Sequence, residues 1–574
     1  MPLPFDIDAL GHYAPRRFVS DSAPLADAQY LAERYQSLID RPIRSQQELN
    51  QLLSDLQELE AAIQQIHVLI VIRTSCQTDD EAAKAEHDAY IKAVIPAVRP
   101  LQDAIRKKYL QAREQYPRKD DDYECFERNL RADVARFRAS NVPLESEDQL
   151  LGQEFQQIAG QMSVNYNDRD HTLEEMAVYL NDADRSVREA AWRATQQRRL
   201  EDRESLDEIF DKLICLRDER SGNADFANFI DYQFDALHRF DYAPTDCLRF
   251  HDAVERFMVP LMEERHRARQ SALDVNELRP WDLDVDPTGL PPLKPFTTGD
   301  ELSQKSEAAF YDVDRRLGTF FTQMRKDRLL DLDSRQGKAP GGYQAPLAEA
   351  RNAFIFMNAV GLDSDVRIML HEAGHFIHTM LCREQPLNEY RRYPMEIAEV
   401  ASFGMEFLAG EHLHHFYDKP EDVARSRQAF LEGKIELLCW IATIDAFQFW
   451  LYSNPTHSRE DRTAAWLNIR SRFAGDIVDW SGLETEHAYF WQKQIHLFKY
   501  PLYYIEYGIA QLGALQLWQN MQNDPVDTLE KYKASLTLGG SRPLPELYET
   551  MGIRFAFDEE VVKPAADALS AAVQ

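Results

Sequence analysis

Cysteine is scarce and scattered. Cys76, Cys125, Cys215, Cys247, Cys382 and Cys439 stand far apart with no CxxC pair, which excludes a dense disulfide framework or a thiolate metal site and points to a reducing compartment. Basic residues are in deficit, 65 Lys and Arg against 96 Asp and Glu, for a net charge of -31. A surface of that sign repels a phosphate backbone, so nucleic acid is not an expected partner. The acidity itself reads as solubility. No apolar run reaches the roughly twenty residues that span a bilayer: residues 67 to 72 are too few, and 437 to 452 are interrupted by Asp445 and Gln448. No membrane partner is expected. The opening Met1-Pro2-Leu3-Pro4-Phe5-Asp6 has no basic flank leading into an apolar run, so no secretory signal is expected and the cytoplasm is the expected address.

What the chain does have is length and helical periodicity. At 574 residues, 44% hydrophobic and 28% charged, it exceeds a single core and is not disordered. Leu52, Leu56, Leu59, Ile63, Ile66 and Ile70 recur at helical spacing within residues 45 to 115. Similar patterns near 145 to 163, 186 to 219, 244 to 269, 301 to 328, 421 to 452 and 485 to 521 predict a mainly α fold. Prolines at 280, 287, 291, 292 and 295 interrupt it, and Gly337-Lys338-Ala339-Pro340-Gly341-Gly342-Tyr343 reads as a loop. Asn352-Ala353-Phe354-Ile355-Phe356-Met357-Asn358 follows as a strand, so a small β-sheet is expected just before residue 371. An exposed strand edge there could hold an extended peptide by main-chain hydrogen bonds.

The chemistry centres on His371-Glu372-Ala373-Gly374-His375. Val366, Met369, Leu370, Ala373, Ile377 and Met380 are apolar at helical spacing around it, so His371 and His375 are expected on one face, one turn apart, able to share one zinc ion. Glu372 would then sit where it can take a proton from the attacking water. A catalytic zinc usually keeps three protein ligands. The metzincin extension fails, because His378 and Leu381 stand where Gly and His are required. A second helix beginning after Pro394 offers Glu396, Glu399 and Glu406, and spacing does not choose among them. The small residues Ala398, Ala401 and Ser402 favour Glu399 as ligand, leaving Glu396 or Glu406 to orient a histidine.

Taken together these segments resemble the thimet oligopeptidase and oligoendopeptidase F family of zinc metallopeptidases, with the oligoendopeptidase F side nearer. The glycine-rich loop at 337 to 343, the run ending at Asn358 (which looks like the family's substrate-edge strand), the HExGH form and Glu399-Val400-Ala401-Ser402 agree in order. Asp184-Arg185-Ser186-Val187-Arg188 and residues 220 to 229 also look familiar. His496-Leu497-Phe498-Lys499-Tyr500-Pro501-Leu502-Tyr503-Tyr504-Ile505-Glu506-Tyr507-Gly508 resembles the family's His and Tyr cluster. The resemblance implies Glu399 as third ligand and His496 with Tyr507 as oxyanion donors. Tyr503 ranks second, on helical register, and Tyr500 third, because Pro501 suggests that it precedes the helix. It also implies two helical lobes around a deep channel that admits oligopeptides, expected here as residues 1–200 and a catalytic part over 201–574.

Other clusters read more plainly. His412, His414 and His415 are taken as a solvated helix end, Asp282, Asp284 and Asp286 as a turn or strand start, and Arg383, Arg391 and Arg392 as surface charge by default, with a peptide carboxylate as their alternative partner. The rival expectations are an exopeptidase on the same scaffold and a non-catalytic peptide-binding protein. Oligomeric state is left open.

Overall fold

The computed structural model describes residues 10–117 and 121–573. It is mainly helical with two small sheets, as the periodicity predicts. Several expected helices are broken by local capping. The stretch from 45 to 115 divides at Asp80, whose carboxylate accepts from the N–H groups of Ala82 and Ala83. The stretch from 301 to 328 divides at Asp314, which caps the helix Arg315–Lys326 in the same way. The stretch from 485 to 521 becomes three α-helices and a 3₁₀ turn, and the last helix, Ile505–Asn523, begins only after Tyr500, Tyr503 and Tyr504.

A hairpin of β1 (Ser163–Tyr166) and β2 (Arg169–Thr172) turns at Asn167 and Asp168, both at positive φ. The second sheet has the order β3 (Leu330–Asp333), β5 (Asn352–Ala359), β4 (Tyr343–Leu347), with β5 parallel to β3 and antiparallel to β4. The run ending at Asn358 is therefore the central strand and not the substrate edge. The reason is in its composition: Ala353 to Met357 is apolar without alternation and buried throughout, the mark of a strand covered on both faces. β3 and β4 are the outer strands, and in β4 Pro346 is tolerated because an edge needs fewer donors.

From β5 the chain passes into the motif helix, Asp363–Cys382. Asp365 Oδ2 accepts from the N–H groups of Val360, Gly361 and Leu362 at 2.8, 2.9 and 2.9 Å, which fixes the angle at which strand becomes helix. The partner helix, Met395–Gly410, crosses it at Gly374. A Cβ there would lie 2.5 Å from Ser402 Cα and 2.7 Å from the Ala401 carbonyl oxygen, so only glycine allows this approach. A third long helix, Pro420–Ser453, is long and apolar enough to cross a membrane, but 72% of its most apolar window is buried. Its polar residues are engaged inside the protein: Asp445 with His251 at 2.8 Å, Gln448 with the Leu502 N–H at 2.6 Å.

Two large buried apolar clusters form most of the interior, beside a small third one of Trp192, Trp281 and Leu483. The smaller of the large pair draws on residues 19 to 130 with Leu387 and Tyr390, and the larger extends from Leu69 to Val573. Asp282 is a buried tie, pairing with Arg185 at 2.7 Å and Arg188 at 2.8 Å.

Candidate active site

On the motif helix His371 and His375 share a face, their ring centroids 5.0 Å apart. The close crossing at Gly374 brings in Glu399. Its Oε2 lies 3.2 Å from His371 Nε2 and 3.5 Å from His375 Nε2, and the three potential ligand atoms lie within 4.8 Å of one another. Ser402 Oγ donates to Glu399 Oε2 at 3.0 Å and Tyr503 donates to Oε1 at 2.5 Å. Burial opposes the charge on Glu399, but His375 and His371 outweigh it and hold the carboxyl well below its ordinary range. Of the two remaining carboxylates, Glu406 is the orienting one. Its Oε1 lies 2.8 Å from His371 Nδ1, and its Oε2 accepts from buried Lys434 at 2.6 Å. Glu396 instead accepts from Tyr242 at 2.7 Å.

Two imidazole nitrogens and one carboxylate oxygen are the donor set of a catalytic zinc site, and Glu406 keeps the His371 proton on Nδ1, leaving Nε2 free to ligate. The residues present fit that metal. Glu372 is buried at 6% exposure with Oε2 unpartnered. Burial raises its carboxyl above the usual range, with the two histidines pulling the other way. The glycine-rich loop lies over it: a Cβ on Gly342 would stand 3.7 Å from Glu372 Oε1. Asn358 holds this loop in place by donating to the carbonyls of Ala339 and Gly341 at 2.9 and 2.8 Å.

The segment from 496 to 507 faces the same site and is pinned from behind. Arg217, fully buried, donates to the Leu497 carbonyl at 2.9 Å and to Tyr452 at 2.8 Å while pairing with Asp148 at 3.0 Å. Arg239 donates to the Leu502 carbonyl at 2.7 Å and to Glu506 at 2.6 Å. Gln494 decides the tautomer of His496. Trp440 Nε1, a donor only, donates to Gln494 Oε1 at 3.1 Å. The amide nitrogen therefore faces His496 Nδ1 at 2.6 Å and donates to it. Burial pushes His496 down to about 4, so the ring is neutral and carries its proton on Nε2, 3.1 Å from the Tyr507 hydroxyl.

His371, Glu372, His375, Glu399, His496, Tyr503 and Tyr507 are thus brought to one cavity of about 1130 Å³. Tyr503, expected beside Tyr507 as an oxyanion donor, donates to Glu399 here, and it lies outside the helix whose register had favoured it. Tyr500 also lines the cavity but is 46% exposed. Arg391 and Arg392 belong to the cavity wall, whereas Arg383 is near Glu384 at 3.5 Å. Lys434, Trp440 and Gln494 were not picked out from sequence; Lys434 and Trp440 reach partners far along the chain, and no spacing rule marks Gln494, two residues before His496.

A family model described as peptidase family M3 matches residues 178–566, and one described as the peptidase M3 N-terminal domain matches residues 23–119. Among curated relatives, group B oligopeptidase PepB of Streptococcus agalactiae serotype III (strain NEM316) is 26% identical over 296 residues, 49% of this chain and 46% of that protein. Oligopeptidase PepF of Bacillus subtilis (strain 168) is 21% identical over 310 residues, 53% and 45%. The match thus spans a little under half the length of these relatives. Among solved structures, Pz peptidase A with an inhibitor superposes with a TM-score of 0.90 at 24% identity, covering 95% of this chain and 97% of that one. A putative oligoendopeptidase F gives 0.89 at 25% identity, covering 97% and 99%. With a model of the family matching well over half its length, the chain belongs to peptidase family M3.

Proposed function

We propose that this chain is a zinc-dependent metallo-oligopeptidase that hydrolyses internal bonds of short, unfolded peptides. The observation that carries it is the convergence of His371, His375 and Glu399 beside the unpartnered oxygen of Glu372, inside a cavity. His371, His375 and Glu399 would hold the zinc, which when bound supplies an acidified water and polarises the scissile carbonyl. Glu372 Oε2 accepts the proton of the attacking water and passes it to the departing amine. His496 Nε2–H and the Tyr507 hydroxyl donate to the carbonyl oxygen as it gains charge. Ser402 and Tyr503 hold Glu399 in place, and Glu406 with Lys434 holds His371.

Peptide binding is supported by β4, an outer strand, whose Tyr343, Gln344 and Pro346 line the cavity. An extended peptide could pair with that strand. The cavity slightly exceeds the drug-sized range of about 300–1,000 Å³, which suits a few peptide residues and not a folded domain. Residues from 60 to 149 and from 220 to 544 both line it, which supports walls contributed by both the N-terminal and the catalytic parts of the chain. Six free cysteines support a reducing, cytoplasmic setting. A second reading, removal of fragments from a peptide C-terminus, is favoured by Arg391 and Arg392 in the cavity wall.

Glu372→Gln tests the mechanism. The variant is expected to retain zinc by elemental analysis yet lose peptide hydrolysis by about 10²-fold or more. Substantial turnover by the zinc-loaded variant would remove Glu372 from its role. Glu399→Ala is expected to release the metal, and unchanged zinc content would place the third ligand elsewhere.

A further inference from the structure

About 100 residues separate Asp312 from His412, His414 and His415, yet all four side chains meet. Asp312 ends the helix Gly299–Val313, while the histidines occupy the turn just after the partner helix Met395–Gly410. Asp312 Oδ2 lies 2.8 Å from His415 Nε2, 3.5 Å from His414 Nε2 and 3.9 Å from His412 Nδ1. The sequence reading of a solvated helix end captures their partial exposure but not this convergence, because the carboxylate comes from another helix.

Hydrogen bonding alone accounts poorly for the arrangement. Three imidazolium ions around one carboxylate would leave net positive charge and repel one another, with the His414 and His415 ring centroids only 4.2 Å apart. Three neutral imidazoles would crowd more ring nitrogens around that oxygen than one carboxylate needs as donors. A cation held by Asp312, His414 and His415 satisfies the three groups that cluster together. With zinc–ligand bonds of about 2.0–2.2 Å, tetrahedral ligand atoms stand about 3.3 Å apart, and the three distances to Asp312 bracket that value. The geometry also parallels that of Glu399 with its two histidines, 3.2 and 3.5 Å. Among the described residues these are the two places where three or more such ligand atoms cluster.

We propose that Asp312, His414 and His415, with His412 alongside, form a second divalent-cation site, of a chemistry that suits zinc and not magnesium or calcium. It lies away from the cavity. A metal there clips the helix Gly299–Val313 to the end of the helix that carries Glu399 and Glu406, bracing the active-site scaffold from outside.

The test uses the full chain, stripped with a chelator, returned to chelator-free buffer and brought to equilibrium with Zn²⁺ by dialysis. The unmodified chain is expected to bind about two zinc ions. Asp312→Asn and His415→Gln should each bind about one while the zinc-loaded enzyme keeps its hydrolysis of peptides. Glu399→Ala should also bind about one, and the double variant Asp312→Asn with Glu399→Ala essentially none. A single zinc in the unmodified chain, or two in Asp312→Asn, would overturn the proposal. Two in Glu399→Ala alone would instead count against the catalytic ligand set, so the two failures are distinguishable.

Discussion

His496 owes its usable proton to an indole two residues removed in the hydrogen-bond chain. Trp440 fixes the Gln494 amide, Gln494 occupies Nδ1, and burial keeps the ring neutral, so Nε2–H is available beside Tyr507. In the proposed mechanism that proton and the Tyr507 hydroxyl stabilise the developing charge. His496→Ala is expected to lower kcat by about 10²–10³-fold, the cost of a lost oxyanion donor, with zinc content unchanged. Steady-state kinetics with elemental analysis check it, and a loss expressed only in KM would contradict the role. His371, Glu372 and His375 were legible in the sequence because one helical turn relates them. Glu399 needed a second helix, so the residues narrowed the ligand to three carboxylates and a family resemblance chose among them. The structure sorts the other two, Glu406 to His371 and Glu396 to Tyr242. Trp440 and Gln494 carry no signal, since Trp440 is far from His496 in the chain and looks like any core aromatic, and Gln494, although two residues from His496, fits no motif spacing.

Two helices and a strand carry this geometry. The crossing of Asp363–Cys382 with Met395–Gly410 depends on Gly374, against which even one added methyl meets backbone atoms of Ser402 and Ala401. Gly374→Ala is expected to destabilise the protein by about 1–3 kcal/mol, as overpacking does, and to weaken zinc binding by moving Glu399 away from the histidines. Urea unfolding and zinc competition measure the two effects; a variant with unchanged stability and affinity would show that the helices can separate freely. Helix positions were readable from periodicity, whereas the breaks at Asp80 and Asp314 were not, because an amphipathic pattern continues across a cap. The central place of β5 was available in its unbroken apolar run, and the edge character of β4 in Pro346. The β1–β2 hairpin had a signal too, Asn167-Asp168 at the turn.

At the scale of the molecule, the cavity wall draws on residues from 60 to 544, with the candidate metal ligands on one part and Glu60, Tyr90 and Arg106 on another. No spacing rule reaches across such distances, so the channel entered the sequence reading only through resemblance. In the proposed function its size limits substrates to peptides that can enter unfolded. The direct measurement is incubation with a mixed library of peptides of about four to twenty residues, with and without chelator, read by mass spectrometry beside a folded protein substrate. Cleavage is expected at internal bonds of the peptides, abolished by chelator, restored by zinc, and absent from the folded protein. Cleavage that survives chelation, or none from zinc-loaded enzyme, would contradict the proposed function, and release solely from peptide C-termini would replace the internal-cleavage reading with the terminal one.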